Sequence, residues 1–319
     1  MQSKINIKDI WADYSIYFIF VVLVIASGLL SPNFFSQRNL FNLMRQQSFL
    51  LIVSLGMLFT IINGGIDLSV GALLAFSAVL TSLFLRDGIS IFITALLVLG
   101  AGSLGGAATG VLIDKGRVNP FITTLAGMSI YRGLAFIFSH GHPIYIRGAN
   151  LTDFVQFIGT GYIGIIPVPV AISFGLCIIV HLVLKTTVFG RMVFAVGANK
   201  EAVRFSGIKT SKYIISVYTI SGFCCAVAGI ILCSRLAMAH PAIGEMYELD
   251  AIAAVILGGG TFAGGSGSVP GTIIGALILG LIRNILNLMN VPAHPQLVVK
   301  GLIIITAVFA SELKRRGHM

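Results

Sequence analysis

The sequence predicts an all-α, polytopic integral membrane protein of about ten transmembrane segments, with both termini cytoplasmic and some helices broken or re-entrant. Three observations predict it. Of 319 residues, 56% are apolar and the mean hydropathy is +0.98. Only 10% are charged, against about 25% in ordinary soluble chains, so 21 basic and 11 acidic side chains are too few to clothe a soluble globule of this size. Apolar stretches long enough to cross, or nearly cross, a bilayer recur from end to end, and the basic residues gather in alternate connections.

The stretches fall at about 14–30, 47–62, 68–85, 89–113, 120–138, 163–184, 213–236, 249–258, 269–290 and 296–310. The first follows Lys4 and Lys8 and ends near Ala26-Ser27-Gly28, which gives it a likeness to a cleaved leader. Its removal would invert the later topology, so it is read as a retained span. The eighth is too short for a clean crossing, which needs roughly 20 residues. Gly64 and Gly65, and Gly258 to Gly260, mark broken or re-entrant helices. Such backbone is tolerated at membrane depth only where protein or a watery cavity surrounds it.

Ten crossings place both termini on one side. That side receives Lys4, Lys8, Lys115, Arg117, Lys185, Arg191, Lys200, Arg204, Lys209, Lys212, Lys314, Arg315 and Arg316, 13 basic residues. The opposite loops receive four, Arg38, Arg45, Arg86 and Arg147. Positive charge is retained in the cytoplasm, which orients the chain. Ten crossings use roughly 200 residues, leaving about 120 for loops and tails. The two sizeable loops, near 139–162 outside and 185–212 inside, are too small for an ATPase or a ligand-capturing domain. The chain reads as one membrane domain over residues 1–319.

Few motifs promise chemistry. The glycine-rich run from Gly258 to Ser268 lacks the Lys that a phosphate loop needs, and Pro270 sits where a helix would open. It reads as a flexible break. Gly102, Gly106 and Gly110, and likewise Gly271 and Gly275, put small residues on one helix face for close packing, within the chain or across a dimer. His140 and His142 form only a weak metal-like pair, Asn150-Leu-Thr152 spells a common glycosylation pattern, and Cys177, Cys224, Cys225 and Cys233 lie in apolar stretches as packing residues. No basic run interleaved with aromatics suggests nucleic acid, and no catalytic constellation, resident metal or cofactor site is expected.

Ionisable groups near membrane depth say more, since each costs about 2.5–3.5 kcal/mol at the bilayer centre on insertion scales. They are Asp67, Arg132, Arg283 and Lys300. Asp67 either caps the helix starting near Leu68, lies at the interface, or faces a polar cavity in the break. In the last case Asn63, Asp67 and Ser69 would line a solute path, and Asp67 would also suit a proton- or sodium-coupled carrier. Arg283 and Lys300 either snorkel or pair with partners.

The 185–212 loop is the sharpest feature. Asn199 is placed to cap a short helix from Lys200 to Ser206, with Glu201 in its first turn and Gly207 as its stop. Ala202, Val203 and Phe205 give it apolar surface, Lys200 and Arg204 charge. Two turns are marginal alone, so the helix needs something to pack against, a partner protein or the lipid surface.

With these residues the chain resembles the permease subunits of bacterial ribose-type ABC importers, a family that handles sugars and autoinducer-2. The likeness runs nearly end to end. It rests on Leu30-Ser-Pro-Asn-Phe-Phe35, Asn63-Gly-Gly-Ile-Asp-Leu-Ser-Val-Gly71, Lys115-Gly-Arg117, Phe189-Gly-Arg191 and Tyr247-Glu-Leu-Asp-Ala-Ile-Ala-Ala254. Glu201-Ala-Val-x-x-x-Gly207 looks like the loop such permeases insert into their ATPase, with Val203 replacing an Ala. The resemblance implies a multi-pass protein of the bacterial cytoplasmic membrane that is not itself an enzyme. Its partners would be a second permease subunit, identical or not, cytoplasmic ATPase subunits that carry the ATP and magnesium, and a periplasmic or lipid-tethered sugar-binding protein. Asn199, Lys200, Glu201, Ala202, Arg204, Phe205 and Gly207 would form the coupling helix. Arg38, Arg45, Arg86 and Arg147 would meet carboxylates of the docked binding protein.

Overall fold

The computed structural model describes residues 7–147 and 152–316; Lys4 and Asn150 lie outside them. Among the described residues the order is α1 (Ile7–Leu30), α2 (Gln37–Ile62), α3 (Val70–Arg86), α4 (Ile91–Asp114), α5 (Pro120–Ser139), β1 (Ile144–Tyr145), α6 (Asp153–Thr160), β2 (Tyr162–Ile163), β3 (Ile166–Pro167), α7 (Val168–Thr186), α8 (Val188–Ala198), α9 (Lys200–Phe205), α10 (Ser211–Leu236), β4 (Met238–Ala239), α11 (Tyr247–Leu257), α12 (Val269–Leu288) and α13 (Ala293–Arg316). A helix lies at each of the ten apolar stretches. Six of them, α2, α4, α5, α7, α10 and α12, are long and apolar enough to cross a membrane. Helix α11, at 11 residues, spans about 16 Å, roughly half a bilayer core.

Helix α10 is the hub, packed on α4, α2 and α3. The glycine stripe of α4 explains the closest of these contacts. A Cβ at Gly102 would press on Ala226 and on the carbonyl of Gly222, one at Gly106 would enter the Tyr218 carbonyl, and one at Gly110 would lie 2.8 Å from the Ile215 Cα. Bare backbones therefore touch, which is how helices gain dispersion energy in lipid, where burying apolar surface gains little. Gly271 and Gly275 do the same for α12, against Gly258 and Ala254 at the end of α11. Both stripes are thus used within the chain.

Several elements depart from the expectations. Helix α2 begins ten residues before its apolar stretch because Ser36 caps it, accepting from Asn39 N–H at 3.3 Å. The start of the sixth stretch is not helix but a β2–β3 hairpin turning at Gly164 (φ +62°), and α7 begins only after Pro167. The all-α expectation therefore needs two small additions, that hairpin and the β1–β4 pair of Ile144–Tyr145 with Met238–Ala239. Helices α6 and α8 lie in the connections read as loops. Pro270 does not stop a helix from opening: it sits in the first turn of α12, capped by Ser268, where its missing N–H has no partner to lose.

Candidate translocation path and coupling surface

The 185–212 connection folds into a helical pair on one end of the bundle. Thr187 caps α8, its Oγ accepting from Gly190 N–H at 3.1 Å. Asn199 caps α9, its Oδ1 accepting from Ala202 N–H at 2.9 Å, and Gly207 follows with φ +79°, a conformation that glycine adopts without strain. The apolar residues of α9 divide. Val203 is buried in the main core, whereas Phe205 stands 81% exposed. Ala202, Glu201 and Arg204 are also exposed, with Arg204 paired to Glu201 at 2.6 Å. Lys200 reaches Asp114, the last residue of α4, at 3.6 Å.

Behind α9 the two expected helix breaks meet. Ile62, the last residue of α2, accepts from Gly265 N–H at 2.8 Å. A Cβ on Gly197 would strike the Ile62 carbonyl, and one on Gly264 would lie 2.7 Å from the Gly197 carbonyl and 2.9 Å from the Gly64 Cα. Three chain segments distant in sequence thus join backbone on backbone directly under the exposed helix.

The three residues singled out in the first break part company. Asn63, half-buried, lines a cavity of about 330 Å³ with Asp114, Arg117 and Lys200. Asp67 and Ser69 are buried elsewhere, each 2% exposed. The Asp67 carboxylate accepts from Ser69 N–H at 3.0 Å, Ser69 Oγ at 2.6 Å and Ser221 Oγ at 2.7 Å. It ties the break to α10 and orders the entry to α3, without lining any of the cavities described here.

At the opposite end, Arg38 and Arg45 lie on α2 rather than in a loop. Seven residues apart, they share a helix face and border an open cavity of about 640 Å³ that the β2–β3 hairpin also lines. The Arg45 guanidinium stacks 4.8 Å over the Tyr162 ring. Arg86 instead pairs with Asp87 at 3.0 Å, and Arg147 lies 4.9 Å over Tyr145. The structure thus brings two of the four arginines together.

Comparison with known proteins decides the family. Residues 39–308 match the family described as "Branched-chain amino acid transport system / permease component". The chain belongs to this family. The permease is 41% identical over 290 residues to the ribose import permease protein of Haemophilus influenzae, covering 91% of this chain and 90% of that one. It is 41% identical over 313 residues to the ribose import permease protein of Bacillus subtilis, covering 98% and 97%. It is 38% identical over 315 residues to the D-allose transport system permease protein of Escherichia coli, covering 98% and 95%. No solved structure matches it.

The permease also holds a charge cluster that sequence reasoning saw only in part. Asp250, on α11 and 2% exposed, accepts from Arg283 of α12 at 2.8 Å and from Lys300 of α13 at 2.7 Å. Arg283 and Lys300 were expected to snorkel or pair; both pair, with the same carboxylate. Asp250 itself was quoted only within the 247–254 motif. The available signal was an acid inside an 11-residue apolar helix with two cations in the following helices. Arg132 binds backbone instead, donating to the carbonyls of Pro241 at 2.6 Å and Ile243 at 2.9 Å, and so holds the connection that leads into α11. The histidine pair ends α5, with His140 in the left-handed region. Among the described residues no group of three or more His, Cys, Asp or Glu is gathered for a metal.

Proposed function

We infer that the chain is the transmembrane permease subunit of a binding-protein-dependent sugar importer driven by ATP hydrolysis in partner subunits. The observation that carries this is the near-40% identity, over more than nine-tenths of the chain, to proteins named as ribose, allose and arabinose permeases. The chain itself is no enzyme and needs no cofactor; ATP and magnesium belong to the ATPase subunits.

In this reading the chain crosses the bacterial cytoplasmic membrane ten times with both termini inside. The gathering of Asp114, Arg117 and Lys200 around one cavity supports it, because the basic 115–117 and 185–212 stretches then share a face. Helix α9 is the coupling helix, with Phe205 as the apolar group inserted into the ATPase. Closure of the ATPases moves α9, and the Lys200–Asp114 pair and the glycine junction pass that movement to α4, α2 and the α11–α12 turn. A second permease subunit completes the path. Arg38 and Arg45 receive carboxylates of the sugar-binding protein, with Arg86 and Arg147 at the edge of that surface.

The test is uptake by the assembled importer in proteoliposomes. Radiolabelled D-ribose should enter only with ATP on the nucleotide-binding side and should continue when ion gradients are collapsed. Entry that needs a proton or sodium gradient, or entry of L-leucine without any sugar, would overturn the assignment.

A further inference from the structure

Resting on that reading, we propose that the cavity between α2, α10, α11 and α12 is a transient binding station for a neutral monosaccharide inside the permease. The cavity holds about 300 Å³, at the lower end of the roughly 300–1,000 Å³ common for small-molecule sites. Its wall is built from four helices: Gln47 of α2, Arg235 near the end of α10, Tyr247 and Asp250 of α11, and Arg283 of α12.

Gln47 is the telling residue. It is 5% exposed, and its amide oxygen has no hydrogen-bond partner. A buried acceptor left unpaired is costly, so this oxygen, closed off with its amide against Gly280 of α12, calls for a donor that enters as the cavity opens. Asp250 supplies further acceptor capacity, since each carboxylate oxygen engages one cation and carries a second lone pair. Arg235 supplies donors: it makes no ion pair among the described residues and stacks 5.5 Å over the Phe49 ring.

This mixture selects by charge. An anion would meet the Asp250 carboxylate and the Gln47 oxygen, and a cation would meet two guanidinium groups. A polyhydroxylated ring carries no charge and both donates and accepts at every hydroxyl, while its C–H faces suit the apolar part of the wall. The contacts are few, which fits a station that must release its solute.

Two measurements test the station. In the first, Gln46, exposed at the lip of the cavity, is replaced as Gln46→Cys and treated with a membrane-impermeant thiol reagent. The native cysteines are all buried, so the background is low. Millimolar D-ribose should slow labelling about threefold or more, L-leucine should not, and adding Gln47→Leu should abolish the protection. In the second, the Gln47→Leu importer should move about three- to tenfold less D-ribose per ATP hydrolysed, the worth of one hydrogen bond between uncharged groups. An importer that carries ribose normally, shows no ribose protection and has an unchanged ratio in Gln47→Leu would overturn the station while leaving the sugar permease intact. Protection by leucine alone would overturn it too. A parent importer that moves no sugar would instead sink the functional assignment itself.

Discussion

At the α9 end of the permease, three segments meet backbone on backbone, with Gly197 against the carbonyl of Ile62 and Gly264 against Gly197 and Gly64. In a second region, segments meet through long charged side chains set around cavities, with Asp250 drawing α12 and α13 together through Arg283 and Lys300. The two regions solve different mechanical problems. Backbone contact has no rotamers to absorb a push, so a shift at Gly197 must be taken up by the backbones at Ile62 and Gly264. Side-chain ion pairs can rearrange without moving the backbones that carry them.

The largest effect is therefore expected at the glycine junction. In Gly197→Val, the new side chain must displace the Ile62 carbonyl, which cannot rotate away. Overpacking typically costs 1–3 kcal/mol and more where backbone must shift, so about 3 kcal/mol or more is expected here. A large fall in thermal stability in detergent and loss of uptake should follow. Gly207→Ala makes the contrast, because nothing lies within 4 Å of its Cβ position and only the positive φ opposes it, at about 1 kcal/mol. Equal stability for Gly197→Val and the parent would remove the rigid junction from the comparison.

Next comes the Asp250 ion cluster. Asp250→Ala leaves two cations facing one another at a buried site, a loss of about 3–5 kcal/mol when one partner of a buried pair is removed. Lys300→Met alone should cost less, because Arg283 still engages Asp250. Asp250→Asn combined with Lys300→Met should recover most of the Asp250→Ala deficit, since a neutral amide no longer needs both cations. Melting temperatures of the three variants check the order. A double variant as unstable as Asp250→Ala would mean that shape, rather than charge, holds α11 to α13.

The α9 region was far more legible in the sequence than the Asp250 region. Local rules gave the Asn199 cap, the stop at Gly207, the breaks at Gly64 and Gly258, and the glycine stripes, because each needs only neighbours a few residues away. The meeting of Gly64, Gly197 and Gly264 is tertiary, and no local rule brings those three segments together. Around Asp250 the same limit is sharper. Asp250 and its cations are 33 and 50 residues apart, and the unpaired amide of Gln47 becomes visible only when four helices surround it. Helix α8 was missed because its apolar run, Val188 to Ala198, is too short to register as a span, and its cap, Thr187, follows another threonine. The first turns of α2 were missed because they are polar, and they carry Arg38 and Arg45 to the cavity beside the β2–β3 hairpin.

The α9 surface should separate partner binding from folding. Phe205→Ala removes a ring that is 81% exposed, so permease stability should change by less than about 0.5 kcal/mol. An aromatic anchor at an interface is commonly worth about 2 kcal/mol or more, so recovery of the ATPase with the permease should drop about tenfold or further. Glu201→Ala should do little to stability, because its pair with Arg204 is exposed and such pairs contribute at most about 1 kcal/mol. Unchanged ATPase recovery in Phe205→Ala would take α9 out of the coupling role and leave its exposed ring to the lipid surface.

The smallest effect is expected at Asp67, where the two regions can be compared at the level of one carboxylate. Asp250 is held by cations, and its neutral replacement releases both of them. Asp67 is held by the Ser69 N–H and by the hydroxyls of Ser69 and Ser221, groups that serve an amide almost as well. In Asp67→Asn, the amide oxygen keeps the bonds from Ser69, and the Ser221 hydroxyl turns to accept from the amide N–H. The cost should be about 1 kcal/mol, the scale of one altered hydrogen bond, and uptake at saturating sugar should stay within about twofold of the parent. A carrier that used Asp67 as its proton or sodium carboxylate would behave differently, because Asn cannot be charged and coupling to the gradient would be lost outright. Initial uptake rates of Asp67→Asn, with and without an imposed gradient, distinguish a residue that shapes the entry to α3 from one that drives transport.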